Sequence, residues 1–115
     1  MEQIREAVKE KERTIFLTGA DSLTAGHYTQ VPNVILTHKR ISPGAKLVYA
    51  MLLKYDWYYQ GCFPGQARLA KDMGVSPRSV VTYLRECEDK KLIKVVRRKL
   101  GRTNLYYLNC KIKNG

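Results

Sequence analysis

The sequence predicts a small α+β domain, mainly helical, that ends in a two-stranded β-hairpin. Three observations predict it. Ser42-Pro43 and Ser76-Pro77 each set an N-cap residue before a proline suited to the first helical position. Gly74 stands just before the second pair as a helix-ending residue, because glycine takes positive φ without steric cost. Further on, segments 92–99 and 103–109 read as strands around a tight Leu100-Gly101-Arg102 turn. With 115 residues, 44% of them hydrophobic and 27% charged, the chain fits one modest globular core.

Each element follows in chain order. Residues 2–13 favour a helix, being rich in Glu, Gln, Ala, Lys and Arg with no Gly or Pro. Its apolar line, Ile4 and Val8, is too thin to hold it down alone, so the segment either docks on another chain or frays. Residues 14–17 are expected as a short strand and 19–26 as a loop. Residues 28–31 are expected to be extended, since Val31 precedes Pro32, and 33–38 to make a helical turn.

The helix opened by Ser42-Pro43 should run to Tyr58. Leu47, Val48, Tyr49, Ala50, Met51, Leu52, Leu53 and Tyr55 make it apolar on most sides, which predicts burial on most sides. A second helix spans 66–73 and stops at Gly74. The next, 77–90, has two faces. Val80, Leu84, Cys87 and Lys91, with Val81 beside them, form the inward one, Lys91 lying at its exposed end. Arg78, Thr82, Arg85 and Asp89 have the same spacing on the outer side. In the hairpin, Ile93 and Val95 share one face of the first strand, as do Tyr106 and Leu108 of the second. The domain is read as 28–109, the span of the family resemblance given below. Residues 1–27 form an N-terminal helical extension suited to oligomerisation, and 110–115 a tail.

The formal charge is +11, from 21 Lys and Arg against 10 Asp and Glu, which implies an anionic partner. A membrane is the weakest choice, because no apolar run approaches the roughly 18–20 residues of a spanning helix. The N-terminus mixes both signs of charge and lacks a signal peptide's apolar stretch. Cys62, Cys87 and Cys110 are odd in number and widely spaced, which argues against a disulfide framework and a zinc site. A reducing, cytoplasmic setting is expected. No enzyme is expected either: no nucleophile, carboxylate pair or phosphate-binding glycine loop is legible, and neither cofactor nor metal is implied. His27 and His38 are lone histidines, read as surface or satisfied residues. Cys87 is read as a small core residue. Tyr55, Trp57, Tyr58, Tyr59 and Phe63 are read as core rather than as a stacking platform for single strands.

The run Leu69-Ala70-Lys71-Asp72-Met73-Gly74-Val75-Ser76-Pro77-Arg78-Ser79-Val80 resembles the "LA-x-x-hGVS-x-R-T-V" core of the winged helix-turn-helix superfamily. Leu92-Ile93, the basic strand and Thr103-Asn104-Leu105-Tyr106-Tyr107-Leu108 resemble its wing. A closer resemblance is to the helix-turn-helix domains of plasmid, phage and DnaD-like replication initiation proteins. It rests on Tyr28-Thr29-Gln30-Val31-Pro32-Asn33, on Ile41-Ser42-Pro43-Gly44-Ala45-Lys46-Leu47, and on the aromatic residues 55–59 followed by Cys62-Phe63-Pro64. The match covers 28–109. One departure stands out. The family's "eekGLI" reads Asp89-Lys90-Lys91-Leu92-Ile93 here, so no glycine caps the exit of helix 77–90.

The resemblance implies double-stranded DNA as the partner, with helix 77–90 in the major groove and the wing, 93–108, on the backbone. Physics supports that assignment independently, because the groove admits one α-helix whose N-terminal half meets the base edges. There this helix presents Arg78, Ser79 and Thr82, flanked by Tyr83 and Arg85, while Ser76 and Arg78 can hold a phosphate at the positive helix end. Residues 76–104 hold nine bases against three acids, a net +6. Arg97, Arg98, Lys99 and Arg102 crowd the hairpin tip, where phosphates or a minor groove are in reach. Gln66 and Asn104 complete the expected DNA-contacting set. The resemblance implies replication initiation for a plasmid, phage or mobile element, acting as a homodimer with other replication proteins. A transcription regulator with the same domain, or a protein-interaction scaffold of a primosome-like assembly, are the competing readings.

Overall fold

Serine, proline and glycine punctuation sets the helices where the sequence places them. The computed structural model describes residues 14–16, 18, 27–58, 61, 63, 65–99 and 104–109. Pro32, extended at φ −58° and ψ 135°, leads into α1 (Asn33–Leu36), a single turn that buries Ile35. In α2 (Pro43–Tyr58) the Ser42 hydroxyl caps the first turn, accepting the Ala45 N–H at 3.2 Å. Next come α3 (Gln66–Met73) and α4 (Pro77–Asp89). Ser76 caps α4 by accepting the Ser79 N–H at 3.1 Å, with Pro77 at the first helical position. β1 (Ile93–Val96) and β2 (Leu105–Leu108) pair antiparallel, Ile93 opposite Leu108 and Val95 opposite Tyr106.

The core lies where α2 meets α4, α3 meets α4, and the hairpin closes the end. Ile35, Val48, Tyr49, Leu69, Val80, Cys87 and Leu92 are fully enclosed there. Each large aliphatic side chain so buried contributes about 1.5–3 kcal/mol. Two tyrosines enter the core and still satisfy their hydroxyls. Tyr49 donates to the Asn109 carbonyl at 2.9 Å, and Tyr55 donates to Asp72 Oδ2 at 3.2 Å. Tyr49 thereby ties α2 to the chain just after β2. Phe63 stacks on Tyr106 at 4.8 Å between ring centroids and meets Tyr55 edge-on at 5.9 Å.

The helices α3 and α4 end alike. After α3, Gly74 is left-handed at φ 72°, and the Val75 and Gly74 N–H groups return to the Ala70 and Lys71 carbonyls. After α4, Lys91 takes the same conformation at φ 61°. The Leu92 and Lys91 N–H groups return to the Cys87 and Glu88 carbonyls at 2.9 and 3.0 Å. This is the Schellman pattern in both cases. The missing glycine therefore does not change the exit of α4; a lysine adopts the strained geometry instead.

Several expectations are corrected. Residues 14–16 form no strand and are exposed, Ile15 and Phe16 included, and the sheet among the described residues is β1 with β2. Leu17 lies outside the described residues, as do the expected helix 2–13, the 19–26 loop and the 100–102 turn. Lys90 is the C-cap of α4 rather than its last helical residue, and both strands are shorter than their sequence runs. Val81 is exposed rather than allied to the inward face. The aromatic cluster divides: Tyr55 and Phe63 join the core, whereas Trp57 and Tyr58 are exposed at 44% and 41%. Tyr59 lies outside the described residues. His38 is buried with its Nδ1 accepting the Arg40 N–H at 3.1 Å, a satisfied histidine as expected.

Candidate nucleic-acid interface

The outward row of α4 is what the i, i+4, i+7, i+11 spacing demands. Val80, Leu84 and Cys87 are buried, so Arg78, Thr82, Arg85 and Asp89 project from the opposite side, and all four are exposed. Arg78 and Arg85 form no ion pair among the described residues. The Thr82 hydroxyl donates to the Arg78 carbonyl at 3.2 Å, which fixes its rotamer and leaves its lone pairs outward for a donor. The hydroxyls of Ser76 and Ser79 lie 3.0 Å apart, so the cap and its neighbour form one small polar corner at the helix start. Ser79 is half-buried, and Gln66, at the start of α3, is exposed.

One flank of this row faces α2. Tyr83, expected beside the DNA-reading residues, is half-buried with its ring over Gly44. A Cβ added at Gly44 would lie 2.2 Å from the Tyr83 ring, so the close approach depends on glycine. Glu86, three residues on, accepts the Ser42 N–H and the Ser42 hydroxyl, each at 2.7 Å. A carboxylate at that helix N-terminus also meets the favourable end of the α2 dipole. Cys87 completes the seam, its thiol donating to the Ala45 carbonyl at 3.3 Å. Burial, and secondarily the Glu86 charge, pushes the Cys87 thiol up to about 12, so it stays protonated and unreactive.

The other flank faces the hairpin. Arg97, expected at the hairpin tip as a phosphate contact, forks onto Glu88 with both guanidinium nitrogens at 3.0 Å. The hydrogen bond and charge of Arg97 hold the Glu88 carboxyl below its usual range against the opposing pull of burial, with Arg85 adding a smaller effect. The same bond raises Arg97. Arg98 and Lys99 are exposed. Arg98 and half-buried Asn104 line a groove of about 1070 Å³ that the hairpin shares with Pro32, Tyr55 and Trp57. Arg102 lies outside the described residues. The structure thus gathers Arg78, Thr82 and Arg85 on one stripe, turns Tyr83 and Arg97 toward internal partners, and leaves Gln66 on a separate helix start.

The acids of α4 have roles that sequence reasoning missed. Two of its three, Glu86 and Glu88, turn aside to Ser42 and Arg97, leaving Asp89 as the acid on the outward row. Their partners lie 44 and 9 positions away, so no local pattern marks them. What results is a hydroxyl-bearing helix face with two arginines and one acid, Asp89 at its C-terminal end, the other two carboxylates being drawn to the edges. Among the described residues no cluster of three His, Cys, Asp or Glu is gathered, and no helix is long and apolar enough to cross a membrane.

Residues 39–93 match the model of a helix-turn-helix domain family. The fold is helix-turn-helix. The match takes in α2, α3, α4 and the first residue of β1, and the β1–β2 hairpin follows as the wing. A solved structure described as "N-Terminal domain of DNA binding protein" aligns with a TM-score of 0.58 at 18% identity, over 87% of this chain and 86% of that one. At that identity the likeness is one of fold. No curated protein matches the chain.

Proposed function

We propose that this helix-turn-helix domain binds double-stranded DNA, with the outward row of α4 in the major groove and the wing bases on the adjoining backbone. The observation that carries it is the α4 surface: Arg78, Thr82 and Arg85 face outward while Glu86 and Glu88 are held aside. Arg pairs bidentately with guanine O6 and N7, and a threonine methyl meets a thymine methyl. The +11 charge supplies the salt-sensitive backbone attraction that such binding needs. The likeness to a domain of a DNA-binding protein supports the same reading.

The role we infer for this binding is replication initiation of a plasmid, phage or mobile element, in the cytoplasm and as a homodimer that recruits other replication proteins. The resemblance carried by 28–33, 41–47 and 62–64 supports it; a transcription regulator would use the same α4 surface on a promoter instead. The chain has no catalytic role in this account. Selection of bound duplexes from a random pool at about 0.15 M salt tests the binding, repeated with Arg78→Ala. The account expects a recovered motif whose information content drops at one or two positions in the variant, with specific affinity weakened by about 1–3 kcal/mol. Equal losses on specific and random duplexes would remove Arg78 from base reading.

A further inference from the structure

Glu86 brings a second basic segment to the side of α4 that lies away from the wing. On α4 the outward row has two neighbours. Tyr83 and Glu86 lie on one side and are bound to Gly44 and Ser42; Glu88 lies on the other and is bound to the wing through Arg97. The turn leading into Ser42 therefore ends on the flank opposite the wing. That turn is Lys39-Arg40, and both residues are exposed.

The turn is held at both ends. His38, before it, is buried and accepts the Arg40 N–H on Nδ1; Ile41, after it, is buried at 5% exposure. Ser42 is then fixed to Glu86 at 2.7 Å. Chain geometry limits the Arg40 and Lys39 Cα atoms to about 7 and about 11 Å from that of Ser42. Neither side chain has an acidic partner among the described residues. The nearest lysine along α2, Lys46, is already engaged, its Nζ donating to the Leu36 carbonyl at 2.8 Å. Glu86 is the acid closest to this turn in the bonded network, and its charge is met by the Ser42 donors and the α2 N-terminus.

We infer that Lys39 and Arg40 form a second phosphate-binding flank, contacting the DNA strand across the major groove from the strand the wing meets. The inference rests on the reading of α4 as the groove helix. With a basic wing on one side and a basic, pinned turn on the other, the helix is straddled by backbone contacts that set its depth and register without reading sequence. A turn already held by His38, Ile41 and Ser42 loses little freedom on binding.

The test is the Lys39→Gln/Arg40→Gln double variant, with Lys39→Arg as a charge-retaining control and melting temperatures to verify folding. Dissociation constants for one recovered and one random duplex are measured across a salt series. Two lost phosphate contacts should flatten the plot of log K against log salt by about 1.8, and weaken both duplexes alike by about tenfold at 0.15 M. Lys39→Arg should keep the wild-type slope. Ethylation interference should lose its signal at phosphates on one side of the groove and keep it on the wing side. A wild-type slope and footprint in the double variant would overturn the second flank while leaving DNA binding standing. Absence of duplex binding by the wild-type chain would bring down the groove reading, and this flank with it.

Discussion

Lys91 carries a conformational cost that its sequence neighbours do not disclose. A left-handed lysine is disfavoured by about 1–2 kcal/mol, because its Cβ crowds the following carbonyl. The Schellman bonds and the Asn109 Nδ2 donation to the Lys91 carbonyl at 3.0 Å hold it there. Replacing Lys91 with glycine removes that crowding at some cost in chain entropy. Lys91→Gly should therefore stabilise the domain by about 0.5–1 kcal/mol in urea denaturation; a loss of stability would contradict the strain. The Gly74 end was legible because glycine announces positive φ. The Lys91 end was not, since nothing in a lysine signals it, and the position stood out only as a departure from a family pattern. Cys87 makes the opposite case. Its place on the Val80–Leu84 face told its burial from spacing alone. With its thiol pushed up to about 12 by burial, and by Glu86 next, alkylation mapped by mass spectrometry at pH 8 should leave Cys87 unmodified until denaturant is added. Native-state labelling would contradict its enclosure.

At the scale of elements, α2, α3 and α4 were legible because their starts and stops carry chemistry: Ser-Pro caps, a Gly exit and an apolar period. Of the strand expected at 14–17, the described residues 14–16 are not β-strand, and three apolar residues after Thr14 are too short a run to distinguish a strand from a loop. The wing was legible as a hairpin but not as a clamp. Four bases in 97–102 read as a uniformly outward cationic tip, yet Arg97 returns to Glu88, a pairing set by how β1 leaves α4. That pairing has a pH consequence. Glu88 is lowered in the folded protein, chiefly by its Arg97 hydrogen bond, so the contribution is complete above the ordinary glutamate range. It is lost as pH falls through the lowered folded value. Carbon-detected NMR of the Glu88 carboxyl should titrate below a model peptide, and Glu88→Gln should abolish the accompanying shift at Arg97. A Glu88 midpoint at or above the peptide's would contradict the clamp. The pair is exposed on the Arg97 side, so its weight in global stability is small.

Across the whole molecule, the α2–α4 seam and the wing present one face of α4 and hide the other. The sequence disclosed this arrangement because the Gly74-Val75-Ser76-Pro77 turn and the outward row are both local. The internal use of Tyr83, Glu86 and Arg97 was not disclosed, since it depends on residues 9 to 44 positions away. Arg102 and most of the 1–27 extension lie outside the described residues, so the DNA contact expected of the one and the oligomerisation expected of the other carry no structural account. The central claim is that the outward row of α4 occupies a major groove. Dimethyl sulfate interference tests it directly, because methylation marks guanine N7 in the major groove and adenine N3 in the minor groove. On a selected duplex, methylated guanines within the site should block binding, and Arg78→Ala should relieve the block at one guanine. Interference confined to adenines, with guanine methylation tolerated throughout the site, would contradict the groove assignment.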